Sequence, residues 1–590
     1  MCQNQLFRIN KASKHQSIKQ SQMIHSVKAG WGTLALLVIG FFATAQQDKK
    51  EKSGDVPKGW HLLDKAKDGY QGISLNKAYE FIQSKNLKGK TVVVAVIDSG
   101  IDTLHEDLKE VLWRNPKEIP GNNTDDDQNG YVDDIYGWNF IGGKDGRNVK
   151  QDSYEGARVY HKLKLKYAGK EIDSSTLKDE ELEEYKTWLK AKKKVEGDGV
   201  EGGIDLVLLT RALKSAVKND SILRQAIGKD VYTGNDLDKY EPANSVEKSA
   251  KGGLLYLFKA NQLMESTNKE FIEGFSDFVS GEERKAEAKD KAPRDYRKEI
   301  VGDNEEDIED KFYGNPDVMA STPFHGTHVA GIIGAARLND KGIDGVADNV
   351  KIMMIRAVPD GDEHDKDIAL AIRYAVDNGA KVVNMSFGKD FSPEKKWVDD
   401  AVRYAESKGV LLVHAAGNDG KNIDTADNFP NANLIVTKSK ATNWITVGAS
   451  GDPKAGGITA NFSNYGKEEV DVFAPGVKIY STIPGGSTYG NAQGTSMASP
   501  VVAGTAAFLL SYFPYLTAQQ VKYCIEKSAQ APAGKVKKPG SDDEVSLDEI
   551  SRTGGVINAF EAAKIASTLE PATKEPKKKS PKSTLKNNKG

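Results

Sequence analysis

Hydrophobic positions fall into distinct regimes along the chain. Thr91-Val92-Val93-Val94-Ala95-Val96-Ile97 is an unbroken β-branched run, the pattern of a strand buried on both faces. Short apolar runs at 352–358, 381–387, 410–415 and 444–449 predict four more strands. Between them the spacing turns helical. Residues 367–378 put Ile368, Ile372 and Ala375 on one face and stop at Gly379, and 397–407 stop at Gly409. A small-residue apolar helix is predicted over 501–510, and a further helix over 75–84. Alternating strands and helices imply an α/β fold whose central parallel sheet is flanked by helices.

Residues 151–320 break this pattern. They are charge-rich and helical in spacing: 181–194 is one candidate, and Leu206, Leu209, Leu213 and Val217 mark one face of a second. The stretch 282–311 is so charged that a loop or a solvated helix is expected. The segment reads as a large helical insertion between two parts of one α/β domain, 86–150 and 321–567; a separate helical domain between two unrelated halves is the other reading. Were 151–320 an insertion, it would pack as a cap over the site.

The ends follow other rules. Residues 29–45 are apolar, preceded by Lys19 and Lys28, and close on Ala43-Thr44-Ala45 before a polar stretch. This is the pattern of a signal peptide over 1–45, with Met23 an alternative start, or of a retained membrane anchor. The signal reading implies a secreted, periplasmic or cell-surface protein. It also leaves Cys524 as the one remaining cysteine, buried rather than paired. Residues 46–85 form an N-terminal extension without alternating strands. The Lys-rich tail 568–590 is expected to be disordered.

Composition narrows the function. The 590 residues carry 82 Lys+Arg against 84 Asp+Glu, a net charge of −2, which argues against a nucleic-acid partner or an anionic-membrane binder. Two cysteines exclude a disulfide framework, a cysteine-built zinc site and an iron–sulfur cluster. His325 and His328 form H-x-x-H, but the zinc-peptidase pattern needs i, i+4 spacing and an adjacent Glu.

Three segments carry candidate chemistry. Asp98 closes the first strand, where open parallel sheets place ligands. His325 opens a small-residue helix. Ser496 begins the helix containing Pro500, so its backbone N–H points at any bound anion. A serine hydroxyl needs a base, and the base needs a partner that fixes its tautomer. Asp98, His325 and Ser496 supply acid, base and nucleophile in the chain order Asp, His, Ser, which distinguishes the subtilisin arrangement from others.

VVVAVIDSGID at 92–102, HGTHVAG at 325–331 and GTSMASPVVAG at 494–504 resemble the subtilisin-like (subtilase) serine peptidases. The resemblance covers about 86–150 and 321–565. It implies the subtilisin-like fold and endopeptidase activity on protein or peptide substrates, with no organic cofactor. It also implies that Asn418, in Ala415-Ala416-Gly417-Asn418, donates to the tetrahedral oxyanion, where a plain Gly-flanked turn is the alternative. Ser386, Phe387 and Gly388, with Gly417, would border the substrate; otherwise Phe387 simply packs in the core. Secreted relatives usually carry an inhibitory pro-domain, for which 46–85 is short.

Five carboxylates crowd residues 125–134. Asp125, Asp127, Asn129 and Gly130 match the first half of an EF-hand loop, with Asp133 beyond, but position twelve is Tyr136. Structural calcium or a solvated acidic turn would each account for it. Asp107 matches a calcium-ligating position of many subtilases, with 338–343 a partial fit to its partner loop. Two rival functions remain. An α/β-hydrolase-type esterase needs G-x-S-x-G and the order Ser, Asp, His; a catalytically silent scaffold usually lacks a triad member. No membrane partner is expected after signal removal, and the oligomeric state is unassigned.

Overall fold

The computed structural model describes residues 56–197, 206–261, 263–264 and 266–571; the predicted signal peptide and most of the Lys-rich tail lie outside them. Seven strands form one parallel sheet: β1 (Val92–Asp98), β2 (Gly137–Asn139), β3 (Val350–Arg356), β4 (Val382–Met385), β5 (Leu411–Ala415), β6 (Trp444–Ser450) and β7 (Val472–Pro475). Their spatial order is β2-β3-β1-β4-β5-β6-β7. The β-branched run at 91–97 explains the centre of this sheet. Val92, Val94 and Val96 face one core and Ala95 and Ile97 the other, so alternate side chains are buried on both sides.

Twelve longer helices accompany it among the described residues. In chain order they are α1 (Leu75–Ser84), α2 (Glu155–Tyr167), α3 (Asp179–Glu196), α4 (Leu206–Ile227), α5 (Ser245–Ala260), α6 (Asn268–Glu287), α7 (Phe324–Gly334), α8 (Asp365–Asp377), α9 (Lys395–Ser407), α10 (Thr495–Tyr512), α11 (Ala518–Ser528) and α12 (Ala559–Ala566). Helices α1, α7, α10, α11 and α12 cover one face of the sheet, and α8 and α9 the other. A hairpin, β8 (Ile479–Ile483) with β9 (Thr488–Ala492), packs on α7.

The extension 46–85 is no appendage where it is described. Trp60, Ile73, Leu75, Ala78 and Ile82 are buried in the main core, and Trp60 Nε1 donates to Val477 O at 3.1 Å. Cys524 is also in this core, with its thiol pushed up to about 12 by burial.

Helices α4, α5 and α6 share a cluster of their own, built from Leu209, Leu223, Leu254, Phe258, Phe271 and Phe275. In α4 the buried line runs through Leu209, Ala212 and Ala216, while Val217, expected inside, is exposed. The two sequence templates differ by about 100° on the helix, and alanines too small to stand out in the pattern decide between them. Helices α2 and α3 pack around Trp188 and Tyr167 and reach Phe391, just after the Ser386–Gly388 segment.

The charged stretch 282–311 departs from expectation. Its first residues continue α6, and Arg297 lies 3% exposed against the carboxylates of Asp303 and Asp367, themselves fully buried. Arg297 Nη2 reaches Asp303 at 2.9 Å and Asp367 at 2.8 Å. A high charge count concealed an internal ion cluster, because opposite charges distant in sequence neutralise one another inside.

Candidate active site

Asp98 is the last residue of β1, and its side chain is 3% exposed. His325 is the second residue of α7. Its Nδ1 lies 2.8 Å from Asp98 Oδ1 and 3.0 Å from Oδ2. Ser99 Oγ donates to Thr322 O at 2.8 Å while Thr322 Oγ1 donates to Ser99 O at 3.0 Å, clamping the two segments that carry these residues. The approach is close: a Cβ at Gly326 would lie 2.2 Å from Gly100 O. Crowding around His325 lowers its proton affinity, but the charge and hydrogen bond of Asp98 outweigh this, and its pKa stands above the ordinary imidazole value.

Ser496 is the second residue of α10, half-buried. Pro500 has no N–H, so the Ser496 carbonyl loses its usual helical donor four residues on. Ser386 Oγ takes that place, donating to Ser496 O at 3.0 Å, and Ser496 Oγ in turn donates to Ser386 O at 3.1 Å. Asn384 supports the arrangement, donating to Ser386 Oγ at 2.9 Å and accepting from Ser499 Oγ at 2.6 Å. The hydroxyl thus rests on Ser386, and among the described residues His325 hydrogen-bonds through Nδ1 alone.

Asn418 follows β5 on an exposed turn. Its Oδ1 accepts from Thr495 N at 2.9 Å and Thr495 Oγ1 at 3.0 Å, which fixes the orientation of the amide. Gly417 N donates to Thr495 Oγ1 at 3.1 Å. Gly494 sits at φ 150, and a Cβ built there would lie 3.5 Å from Asn418 Nδ2 and 3.6 Å from Ser496 N. A Cβ at 494 would thus touch both nitrogens at ordinary van der Waals distance, so the two lie on either side of this glycine.

The Ser386–Gly388 segment is more internal than a free edge. Ser386 is buried, Phe387 is half-buried against the core, and Phe387 O accepts from His414 Nε2 at 2.8 Å. The next residue, Lys389, pairs with Phe429 in both directions, at 3.0 and 2.9 Å. His328 is a packed residue, with Nε2 on Ile479 O at 3.0 Å and its pKa lowered to about 4 by burial.

The expected metal residues separate. Asp125 and Asp127 come together with Glu118, which the sequence pattern did not single out. Asp133 instead accepts from the backbone of Gly121 and Asn123, at 2.8 and 2.9 Å. Asn129 Oδ1 accepts from Tyr131 N at 2.8 Å. Asp107 lies elsewhere, its oxygens taken by Asn339 Nδ2 at 2.7 Å and the Tyr489 hydroxyl at 2.8 Å.

Arg356, Thr322 and Thr495 were also not foreseen. Arg356 is fully buried beside Asp98 in the β1–β3 register and donates to Ser99 O, Asn139 Oδ1, Val149 O and Thr322 Oγ1. It stiffens the turn behind the acid. An arginine closing a hydrophobic strand was the one visible hint.

With this geometry in place, the relatives are informative. The Subtilase family model matches residues 89–548. The chain belongs to the subtilase family. Thermitase of Thermoactinomyces vulgaris is 37% identical over 276 residues, 44% of this chain and 85% of that protein. Subtilisin DY of Bacillus licheniformis is 40% identical over 206 residues, 35% of this chain and 70% of that protein. A thermophilic serine proteinase of Bacillus sp. (strain AK1) is 46% identical over 188 residues, spanning 32% of this chain and 42% of that proteinase. A solved protease of Pseudoalteromonas arctica aligns over 86% of this subtilase and 96% of its own chain, at 19% identity and a TM-score of 0.40. Among the described residues of this subtilase, no helix is long and apolar enough to cross a membrane.

Proposed function

We propose that this subtilase is a secreted serine endopeptidase acting through Asp98, His325 and Ser496. The observation that carries the reading is the Asp98–His325 hydrogen bond, 2.8 Å long, at the carboxyl end of the sheet where α10 also begins. Rotation about χ1 takes the Ser496 hydroxyl from Ser386 O toward His325, a motion on the picosecond-to-nanosecond scale for a half-exposed side chain. Ser496 Oγ then bonds to the scissile carbonyl carbon as its proton passes to His325 Nε2. Asp98 holds the Nδ1–H and steadies the imidazolium. The carbonyl oxygen becomes an oxyanion between Asn418 Nδ2 and Ser496 N. Its collapse breaks the C–N bond, and His325 returns the proton to the leaving amine. Water repeats the sequence on the acyl-enzyme.

Ser386, Phe387, Gly388 and Gly417 border the substrate in this reading. The main-chain character of that wall favours extended peptides over a particular side chain. The secretory pattern at 1–45 supports the extracellular placement.

Ser496→Ala is expected to abolish digestion of casein and labelling by a fluorophosphonate while leaving the circular dichroism spectrum unchanged. Near-wild-type digestion by a folded variant would refute the assignment. A label attached to another serine would do the same.

A further inference from the structure

The wall Ser386–Gly388 runs on through Lys389, Asp390 and Phe391, and the inserted segment grips all three. Lys389 has a side chain 1% exposed. An ammonium carries three donors, and each has an acceptor here: Glu155 Oε2 at 2.8 Å, Asp365 Oδ1 at 2.9 Å and Glu363 O at 2.7 Å. Asp365 opens α8, under the sheet, whereas Glu155 opens α2, in the insertion. Glu155 is itself held by Arg158 Nη2 at 2.7 Å. A buried cation tied in this way has little freedom to shift, because a displacement would leave charges unpaired.

Asp390 and Phe391 are gripped by α2 and α3. Lys190, in α3, donates to Asp390 O at 2.5 Å and to Asp427 Oδ2 at 2.6 Å. Its ammonium lies 4.3 Å from the centre of the Phe391 ring. That ring is 3% exposed, packed with Val159, Leu163 and Trp188. A Cβ built at Gly156 would lie 2.9 Å from it, so α2 runs directly against the ring.

These grips converge on the wall. Lys389 N donates to Phe429 O at 3.0 Å and Phe429 N to Lys389 O at 2.9 Å, which joins the wall to the segment that follows Asp427. Gly388 stands at this junction: a Cβ there would lie 3.1 Å from Asn428 Oδ1 and 3.2 Å from Phe429 O. Neighbouring residues of an extended segment turn their N–H and C=O groups to opposite edges. With those of Lys389 spent on Phe429, Gly388 offers its own at the edge where an extended peptide would add.

We infer that the insertion braces the substrate wall from its far end, with Glu155 and Lys190 as positioning residues. Glu155 fixes Lys389, Lys190 fixes Asp390 and Asp427, and together they set how closely Gly388 meets a bound peptide. The inference rests on the peptidase reading and gives the insertion a part in it. The brace supports a binding edge, so it bears on how well a peptide is held and not on the bond-making steps at Ser496. A substrate long enough to pair with Gly388 feels it. One that reaches only the triad does not.

The test uses the full-length enzyme and two blocked p-nitroanilides carrying the residue it prefers at the scissile bond. One holds that residue alone, and the other is extended by three alanines on its amino side. Glu155→Gln should raise KM for the extended substrate about tenfold with kcat within about twofold, the mark of lost uniform binding. It should leave kcat/KM for the short substrate unchanged. Lys190→Met should act in the same direction more weakly, and Lys190→Arg, which keeps the cation, should restore the wild-type KM. A merely structural role would lower the active fraction, so that kcat falls alike for both substrates and neither KM moves. That result would overturn the inference, as would unchanged KM values in both Glu155→Gln and Lys190→Met. If Glu155→Gln does not fold, the two Lys190 variants make the same comparison from a side chain 39% exposed. Undiminished hydrolysis by Ser496→Ala would remove the peptidase reading itself. An inactive Ser496→Ala beside unaltered Glu155→Gln and Lys190→Met would remove the brace alone.

Discussion

Asp98 does two things to His325: it fixes which nitrogen carries the proton and it raises the proton affinity of the ring. A general base must be neutral to act. Activity should therefore be lost as pH falls through the raised value, and the acidic limb of kcat/KM should lie above 6.5, the unperturbed imidazole value. Asp98→Asn should cut kcat by about 10⁴, because the tautomer is no longer held. It should also shift the limb to lower pH. A limb that stayed in place in Asp98→Asn would assign it to another group. Stability runs the other way. A raised folded pKa means the Asp98–His325 contact adds stability at low pH and loses it as pH rises through the folded value. These three residues were legible because each stands in a local pattern: a strand end, a glycine-flanked helix start and a helix N-terminus. The Ser386 clamp was legible only in part. Pro500 announces a free carbonyl at Ser496, but nothing near Pro500 says which donor, 110 positions away, will fill it. The Thr495–Asn418 contact spans 77 positions and leaves no trace in either segment alone.

At the level of elements, continuous apolar runs gave the central strands within a few residues, since both faces of the sheet are covered and no polar alternation blurs them. The short strands β2 and β7 escaped because their residues look like turns until a neighbour pairs with them. The larger surprise is the segment around Arg297. Periodicity reports apolar faces, so an element held by buried charges is invisible to it. Arg297 bridges Asp303 and Asp367, and Lys366 Nζ also reaches Asp303 at 2.6 Å. Arg297→Met removes two positive contacts and strands the Asp367 carboxylate, which is fully buried. Removing one partner of such a cluster costs about 3–5 kcal/mol. Urea unfolding of Arg297→Met in the Ser496→Ala background should show this loss with an unchanged slope. A loss below about 1 kcal/mol would mean that the cluster is already balanced without the guanidinium. The same cluster explains why the insertion cannot be trimmed freely at its end: a deletion through 310 takes Arg297 and Asp303 with it and leaves Asp367 behind at the start of α8.

Over the whole molecule, the insertion is fastened at both ends to one residue. His364, just before α8, places Nε2 3.0 Å from Asp152 Oδ2, ahead of α2, and Nδ1 on Glu305 Oε1, after α6. Burial and the neighbouring Arg158 lower its proton affinity, but the hydrogen bonds and charges of Asp152 and Glu305 prevail and raise it to about 9. His364 is therefore a cation at neutral pH, joining three distant stretches of chain. In the unfolded chain an imidazole titrates near 6.5. The contribution to stability is complete below that value and disappears as pH rises through about 9. Its upper bound, from a shift of this size, is on the order of 3 kcal/mol. The two acids carry the opposite sign. Glu305 is lowered to about 2, and Asp152 is also lowered, so their share is lost only in acid. The clamp thus holds across the neutral range and opens on the alkaline side, where the neutral His325 keeps the catalytic base ready. Urea midpoints of Ser496→Ala protein, compared between pH 7 and 9.5, should fall with rising pH, and His364→Asn should flatten that fall while lowering stability at pH 7. Equal alkaline slopes in the two proteins would show that the junction of insertion and sheet is held by something other than this imidazolium.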